Sequence, residues 1–145
     1  MSRKICKVFQ QSGVIPYRVQ DGRVEVLLIT TRDRRRWAIP KGGISHGMSP
    51  PASAAKEAWE EAGVIGQVCT EEFAIYEYRK QGKIYQVSMY LLPVEIVSEV
   101  YPEASKRKRR WIEITKAVRR IKTAPLKQVF QVFIQTGLDS YVLEH

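Results

Sequence analysis

The feature that constrains this chain most is a set of three carboxylates whose spacing places them on one face of a helix. Side chains at positions i, i+3 and i+4 lie over one another when a helix has 3.6 residues per turn. Like charges packed this closely repel, so the face is either fully solvated or set against a cation, for which a divalent metal ion is the best candidate. The three residues are Glu57, Glu60 and Glu61.

The residues on either side of the carboxylates predict where this helix begins and ends. Ser49 followed by Pro50 is typical of an N-cap and a first helical position, and Gly63 suits the position just past the last turn. The predicted helix therefore has roughly three and a half turns. Its other side carries small residues that suit close packing against a sheet, namely Ala55, Ala58 and Ala62, with Trp59 beside them.

Short apolar and β-branched runs on either side of turn residues predict the strands. The run at 24–29 follows Gln20-Asp21-Gly22 and is preceded by another apolar run, which predicts an opening hairpin. Runs at 73–79 and 84–96 flank a second turn and predict a second hairpin. Shorter strands are predicted at 36–39 and 109–114, and a closing helix at 126–134 that ends at Gly137. Residues 41–43 are predicted to be a loop, because they contain two consecutive glycines.

Length and composition predict one domain over residues 1–145. The chain is 44% hydrophobic and 27% charged, as in ordinary water-soluble proteins. No apolar run approaches the roughly 20 residues of a membrane helix, and the N-terminus lacks the apolar block of a signal peptide. We therefore expect a cytoplasmic protein without membrane contact. Cys6 and Cys69 lack metal-site spacing, so two reduced thiols are expected.

A net charge of +9 predicts that the protein attracts anions, although it does not identify which anion. The basic residues form three clusters, which could converge on one site. The alternative is a solvated basic surface, or one that binds nucleic acid weakly and without sequence preference. The clusters lie within residues 32–41, 79–83 and 106–110.

The stretch from Gly42 to Val64 resembles the Nudix box, G-x5-E-x7-R-E-U-x-E-E-x-G-U with U a bulky aliphatic residue, the loop-helix-loop signature of the Nudix hydrolases. Residues 37–43 also match the W-x-x-P-x-G-G stretch that typically precedes the box. Six of the nine fixed positions agree: Gly42, Glu57, Glu60, Glu61, Gly63 and Val64. The other three differ, with Met48 in place of the first Glu, Lys56 in place of the Arg and Ala58 in place of the aliphatic residue.

This resemblance implies an α/β fold (an α+β sandwich), in which helices and a catalytic loop-helix-loop flank a mixed β-sheet. It also implies hydrolysis of a phosphoanhydride bond by an enzyme that uses Mg²⁺ or Mn²⁺. Glu57, Glu61 and the backbone carbonyl of Gly42 would hold the metal, and Glu60 would be the general base. The division stays open, with Glu57 a second catalytic candidate, because carboxylates this close titrate together.

The replacements at Met48 and Lys56 remove a pair that, in the family, mainly holds the loop and the helix in place. Met48 cannot accept a hydrogen bond from Lys56, which is left to pair with Glu60 one turn later. We expect metal binding to survive because the carboxylates are present. Activity would fall if the looser loop displaced the catalytic groups.

The implied substrate is a polyphosphorylated small molecule, such as a nucleoside diphosphate derivative, a diadenosine polyphosphate or a diphosphoinositol polyphosphate. The basic segments resemble the layout of the diphosphoinositol polyphosphate phosphohydrolase branch, although basic strand edges also discourage aggregation. Glu95 is a candidate for a further carboxylate of the kind the family recruits from outside the box, or an ordinary surface residue. The predicted substrate contacts are Arg36, Lys41, Arg79, Lys80, Arg107 and Arg109.

Two alternatives to this function stay open. The first is hydrolysis of the pyrophosphate at an RNA 5′ end, for which the positive surface would bind the strand, although a small-molecule partner is favoured over nucleic acid. The second is a catalytically weak Nudix scaffold that senses a ligand or binds a protein. The replacements at Met48 and Lys56 are the reason to consider the scaffold.

Overall fold

A seven-stranded mixed sheet forms the centre of the molecule in the computed structural model, which describes residues 7–135. A separate two-stranded sheet and three helices complete the fold. The strands are β1 (Val8–Gln20), β2 (Arg23–Thr30), β3 (Trp37–Ala38), β4 (Lys41–Gly43), β5 (Val64–Ile65), β6 (Ala74–Lys80), β7 (Lys83–Pro93), β8 (Ile96–Val97) and β9 (Arg109–Glu113). The helices are α1 (Pro50–Ala62), α2 (Ile114–Arg120) and α3 (Ala124–Val132).

Both predicted hairpins are confirmed, and both turn through two residues with positive φ. Asp21 and Gly22 have φ of 51° and 73°, and Gln81 and Gly82 have φ of 53° and 75°. Positive φ at both central residues is the geometry of the tight turns that match the twist of paired strands. The second hairpin is shorter than predicted, because β7 ends at Pro93 and the apolar residues after it form β8.

The middle of the sheet is a parallel pairing of β1 with β7, which the sequence pattern did not predict. Ten residue pairs join the strands, from Val8 opposite Ile84 to Tyr17 opposite Pro93. β6 lies outside β7, and β2 pairs with the second half of β1. The predicted strands at 36–39 and 109–114 are present as β3 and β9, and both pair with β2.

The prediction of a loop at residues 41–43 was wrong. These residues form β4, which pairs antiparallel with the first half of β1, Gly42 lying opposite Ser12. Glycine weakens a strand when nothing else holds it, but an available neighbouring strand supplies the hydrogen bonds that hold β4 in place. The segment before α1 is therefore anchored to the central strand.

Helices cover both faces of the sheet, which confirms the predicted sandwich. Helices α2 and α3 pack on one face, where Phe130 and Phe133 are fully buried. Helix α1 packs on the other face through Ala54, Ala58 and Ala62. Ala54 therefore takes the place predicted for Ala55, and its small side chain lets the helix lie close to the strands.

Helix α3 corresponds to the predicted closing helix, whereas α2 was not predicted. The predicted end of the closing helix at Gly137 and the thiol of Cys6 lie outside the described residues. Cys69 is a half-buried free thiol. None of the helices within residues 7–135 is long and apolar enough to cross a membrane.

Candidate active site

Local sequence signals set the ends of helix α1, as predicted. The Ser49 hydroxyl accepts a hydrogen bond from the Ala52 N–H at 3.3 Å, and prolines occupy the first turn. Gly63 follows the last turn in the left-handed region, with φ of 67°, and donates its N–H to the Trp59 carbonyl at 3.0 Å. These contacts fix where the helix begins and ends, and so which residues face β4.

Glu57 lies directly against the backbone of Gly42 in β4. A Cβ added to Gly42 would be 2.5 Å from the Glu57 carboxyl carbon, so any side chain at position 42 would displace this carboxylate. Burial and the nearby charge of Glu60 raise the pKa of Glu57, while a hydrogen bond with Glu61 acts in the opposite direction. Glu57 and Glu61 therefore bring their carboxyl groups together beside β4.

Glu61 is buried, so the carboxylate face of α1 is not fully solvated. It is 8% exposed, and its Oε1 accepts a hydrogen bond from the Lys41 N–H at 3.2 Å. Its Oε2 lies 3.5 Å from Nη2 of Arg107. Burial raises the pKa of Glu61 to about 7, although the Arg107 charge and the Lys41 hydrogen bond act against the rise. Both oxygens of this carboxylate are thus held in defined positions.

Glu60 is in a different environment, on the more open side of α1. Its carboxylate lies 3.5 Å from the ammonium group of Lys56, which confirms the predicted i,i+4 pair. The same ammonium group donates to the Ser45 hydroxyl at 3.4 Å. An exposed pair of this kind contributes only a few tenths of a kcal/mol, about 0.3–0.5. Glu60 can therefore leave its partner, Lys56, at a lower cost in free energy than Glu61 can leave its buried partners.

The donor set fits a hard divalent cation. Within residues 7–135, no three His, Cys, Asp or Glu side chains stand where they could hold one metal ion. Glu57 and Glu61 supply two adjacent carboxylates, and the Glu57 carboxylate lies close to the backbone of Gly42. Mg²⁺ is commonly bound by one or two carboxylates, with water and substrate phosphate completing its shell. The metal roles assigned to these three residues remain predictions.

The structure brings a fourth carboxylate, Glu103, to this site, and the sequence reading missed it. Glu103 is 9% exposed, and its N–H donates to the Glu60 carbonyl at 3.0 Å. Its charge adds to those that raise the pKa values of Glu57 and Glu61. Glu95, the candidate considered from the sequence, is exposed. One sequence signal for Glu103 was available, because an acidic and a basic residue four positions apart, Glu103 and Arg107, can form an ion pair. Such spacing is informative in a predicted helix, and no helix was predicted here.

Arg107 and Arg109, two of the predicted substrate contacts, both donate to protein acceptors. Arg107 bonds Glu103 through Nε at 3.0 Å and the Thr30 carbonyl through Nη1 at 3.1 Å. Arg109 donates to the Ala62 carbonyl at the end of α1 at 2.8 Å. Each guanidinium would have to leave these acceptors to bind a phosphate, so their role in substrate binding stays a prediction.

The remaining predicted contacts are divided between the faces of the sheet. Lys41 is half-buried, with its ammonium group donating to the Tyr78 hydroxyl at 2.8 Å. Burial lowers the pKa of Lys41, and the charge of Lys80 lowers it further, which places Lys80 near it. Arg79 points to the opposite face, because neighbouring residues in a strand alternate. Arg36 lies in the exposed turn before β3.

Comparison with known proteins gives consistent results. The family model described as NUDIX domain matches residues 10–133. The chain is 30% identical over 131 residues to Nudix hydrolase 21, chloroplastic, of Arabidopsis thaliana, covering 86% of this chain and 66% of that relative. It is 32% identical over 98 residues to diphosphoinositol polyphosphate phosphohydrolase 2 of Rattus norvegicus, covering 66% of this chain and 53% of that protein.

A solved structure agrees in fold. A Caenorhabditis elegans Ap4A hydrolase binary complex superposes with a TM-score of 0.76 at 20% identity, covering 94% of this chain and 99% of that one. At this identity the likeness concerns the fold alone. The mixed sheet flanked by helices is thus shared with that hydrolase.

Proposed function

The chain belongs to the Nudix hydrolase family, and we propose that it hydrolyses a phosphoanhydride bond in a polyphosphorylated small molecule, using the carboxylates of α1 and a divalent metal ion. The observation that carries the proposal is the contact of Glu57 with Gly42 beside the buried Glu61. Burial, the main cause of the raised pKa of both carboxyl groups, makes their negative charge costly in the absence of a cation. A bound cation would balance that charge.

Each carboxylate has a role that its surroundings favour. Glu57 and Glu61 would hold Mg²⁺ or Mn²⁺ together with the Gly42 carbonyl, and the bound cation would neutralise phosphate oxygens and make water more acidic. Glu60 would accept the proton of the attacking water after leaving Lys56. The main-chain N–H of Lys41 would keep the Glu61 carboxylate turned toward β4.

The basic residues around this site favour a substrate with several phosphates. Lys41 and Lys80 are near enough to one another for their charges to interact. A second basic segment, residues 32–36, contacts the loop before β9 through Arg34, which donates to the Ser105 carbonyl at 3.0 Å. The names of the relatives above point to diadenosine and diphosphoinositol polyphosphates as the first compounds to examine.

The test is phosphate release from a panel of pyrophosphates in the presence of Mg²⁺. The panel comprises a nucleoside diphosphate derivative, a diadenosine polyphosphate, a diphosphoinositol polyphosphate and RNA with a 5′-triphosphate. We expect turnover of at least one small molecule, and a loss of at least about a hundredfold in kcat for Glu57→Gln and for Glu61→Gln. Glu71→Gln, which changes an exposed carboxylate away from α1, is the matched control.

Three outcomes would contradict the proposal. Absence of turnover with every compound, combined with retained nucleotide binding, would support the scaffold alternative. Preference for RNA, weakening steeply as salt rises, would support the RNA alternative, because strand binding releases many counterions. Normal turnover by both glutamine variants would mean that the reaction takes place elsewhere.

A further inference from the structure

We propose that Arg107, together with Glu103, is a positioning residue that holds the Glu61 carboxylate in the orientation needed to bind the metal ion. This inference rests on the proposed function, since it assigns Glu61 to the metal. It concerns a pair of residues outside the segment from Gly42 to Val64. Arg107 would act through Glu61 and would not touch the substrate.

The guanidinium of Arg107 is fixed by three different acceptors. Its Nε donates to Glu103, its Nη1 donates to the Thr30 carbonyl, and its Nη2 pairs with Glu61, at 3.0, 3.1 and 3.5 Å. The group is planar, so three contacts in one plane leave it a single orientation. The side chain is only 12% exposed, and water therefore competes weakly for these contacts.

The anchors of this guanidinium are themselves held in place. Thr30 ends β2 and exchanges backbone hydrogen bonds with the chain beside Arg107, since its N–H donates to the Lys108 carbonyl at 2.9 Å. The Lys108 N–H donates to the Thr30 hydroxyl at 3.0 Å. Glu103 is attached to α1 through its own N–H, which donates to the Glu60 carbonyl at 3.0 Å. Arg107 therefore connects Glu61 to the central sheet and to a buried carboxylate.

Arg107 gives Glu61 a charged partner, whereas the Lys41 main chain gives it a neutral donor. The Lys41 N–H holds Oε1, and Arg107 is the cation that faces Oε2. Met48 in the loop before α1 is apolar, and Lys56 within α1 already contacts Glu60 and Ser45. The helix thus receives its charged support from the chain after β8.

The experiment compares Arg107→Lys with Arg110→Lys. Lysine keeps the charge at 107 but loses the planar group that reaches three acceptors. Arg110 lies three residues further on, is exposed, and receives the same substitution as the control. Mn²⁺ binding to the substrate-free protein is measured by electron paramagnetic resonance, and kcat and KM are measured with whichever compound the panel identifies.

We expect Arg107→Lys to weaken Mn²⁺ binding by about tenfold to a hundredfold, the usual effect of losing a residue that orients a metal ligand. The same variant should lower kcat with KM changed less than about threefold, because Arg107 would not bind substrate. Arg110→Lys should match the unsubstituted protein in both measurements. Glu103→Gln should weaken Mn²⁺ binding in the same direction, and the double variant should lose less than the sum of the two losses.

Two results would overturn the inference. Tighter Mn²⁺ binding by Arg107→Lys would show that Arg107 competes with the metal for Glu61. A raised KM with unchanged kcat and unchanged Mn²⁺ binding would show that it binds the substrate. If Arg107→Lys does not fold, Glu103→Gln and its Mn²⁺ binding decide the question. Failure of the proposed function can be distinguished from failure of this inference, because Mn²⁺ binding can be measured even if the protein hydrolyses none of the compounds.

Discussion

The first and last turns of helix α1 are held by contacts of different range. At the first turn, Ser49 accepts the N–H of Ala52, three residues away. At the last turn, Arg109 donates to the Ala62 carbonyl across 47 positions of the chain. Arg107 meets the helix at the same end. The start of the helix is thus specified locally, whereas the end that carries the buried carboxylate depends on the chain after β8.

The largest effect should come from substituting Gly63, the glycine that follows the helix. In Gly63→Ala the new Cβ would overlap the Tyr101 ring and lie 2.8 Å from Nη1 of Arg109, at a φ of 67°. Left-handed strain costs about 1–2 kcal/mol, and displacing the ring adds about 1–3 kcal/mol. We expect the free energy of unfolding to fall by about 3 kcal/mol in urea denaturation.

Gly47→Ala is the matched control for the start of the helix. Gly47 also has positive φ, 78°, but no described atom lies within 4 Å of a Cβ placed there. Only the backbone strain remains, so we expect a loss of about 1 kcal/mol. Equal losses of unfolding free energy in the two variants would mean that the chain after β8 is not packed tightly against the end of the helix.

An effect of similar size should appear in the pH dependence of stability. The pKa of Glu61 is about 7 in the folded protein, above the ordinary value of 4.5. Below pH 4.5 the carboxyl is protonated in both states and contributes nothing. As pH rises toward 7 the unfolded chain loses this proton first, so folding becomes less favourable, by about 3 kcal/mol in total.

Urea denaturation from pH 4.5 to 7.5 without divalent metal would measure this effect. The free energy of unfolding should fall more steeply in the unsubstituted protein than in Glu61→Gln. Glu57, whose pKa is raised in the same direction, remains in both proteins. Parallel curves would show that the buried carboxylate at the end of the helix is already ionised at low pH.

The smallest effect should come from restoring a charged pair at the start of the helix. Lys56 reaches the Ser45 hydroxyl, and the Met48 N–H donates to the Ser45 carbonyl, so residues 48 and 56 flank one turn. Met48→Glu combined with Lys56→Arg should add about 0.5 kcal/mol of stability, as expected for an exposed pair. A double-mutant cycle in urea would isolate this energy. A coupling energy of zero would show that the two substituted residues do not interact.

The sequence predicted what neighbouring residues determine. Ser49, Pro50 and Gly63 identified the limits of α1, and the two Gly-containing turns identified the hairpins. The spacing of the three glutamates placed them on one helix, but it could not show that Glu61 is buried. Burial depends on what packs over a helix, and no local pattern encodes that.

The features that were missed all depend on distant parts of the chain. Lys41, Gly42 and Gly43 form a strand because β1 has an unpaired edge beside them. Glu103 and Arg107 belong to the site because the chain after β8 returns to the end of α1. Helix propensity and turn residues carry no information on contacts between residues far apart in the sequence, so the tertiary structure was needed to find these features.

The parallel pairing of β1 with β7 also has a consequence for how the protein folds. Residues 8–17 pair in parallel with residues 84–93, so the centre of the sheet closes a long loop. Pairing over such a separation lowers folding rates, because chain entropy is lost before contacts compensate for it. During synthesis β1 leaves the ribosome first and stays without its central partner until β7 follows. The interval in which its apolar edge is open to other chains is therefore set by the time taken to translate everything between them.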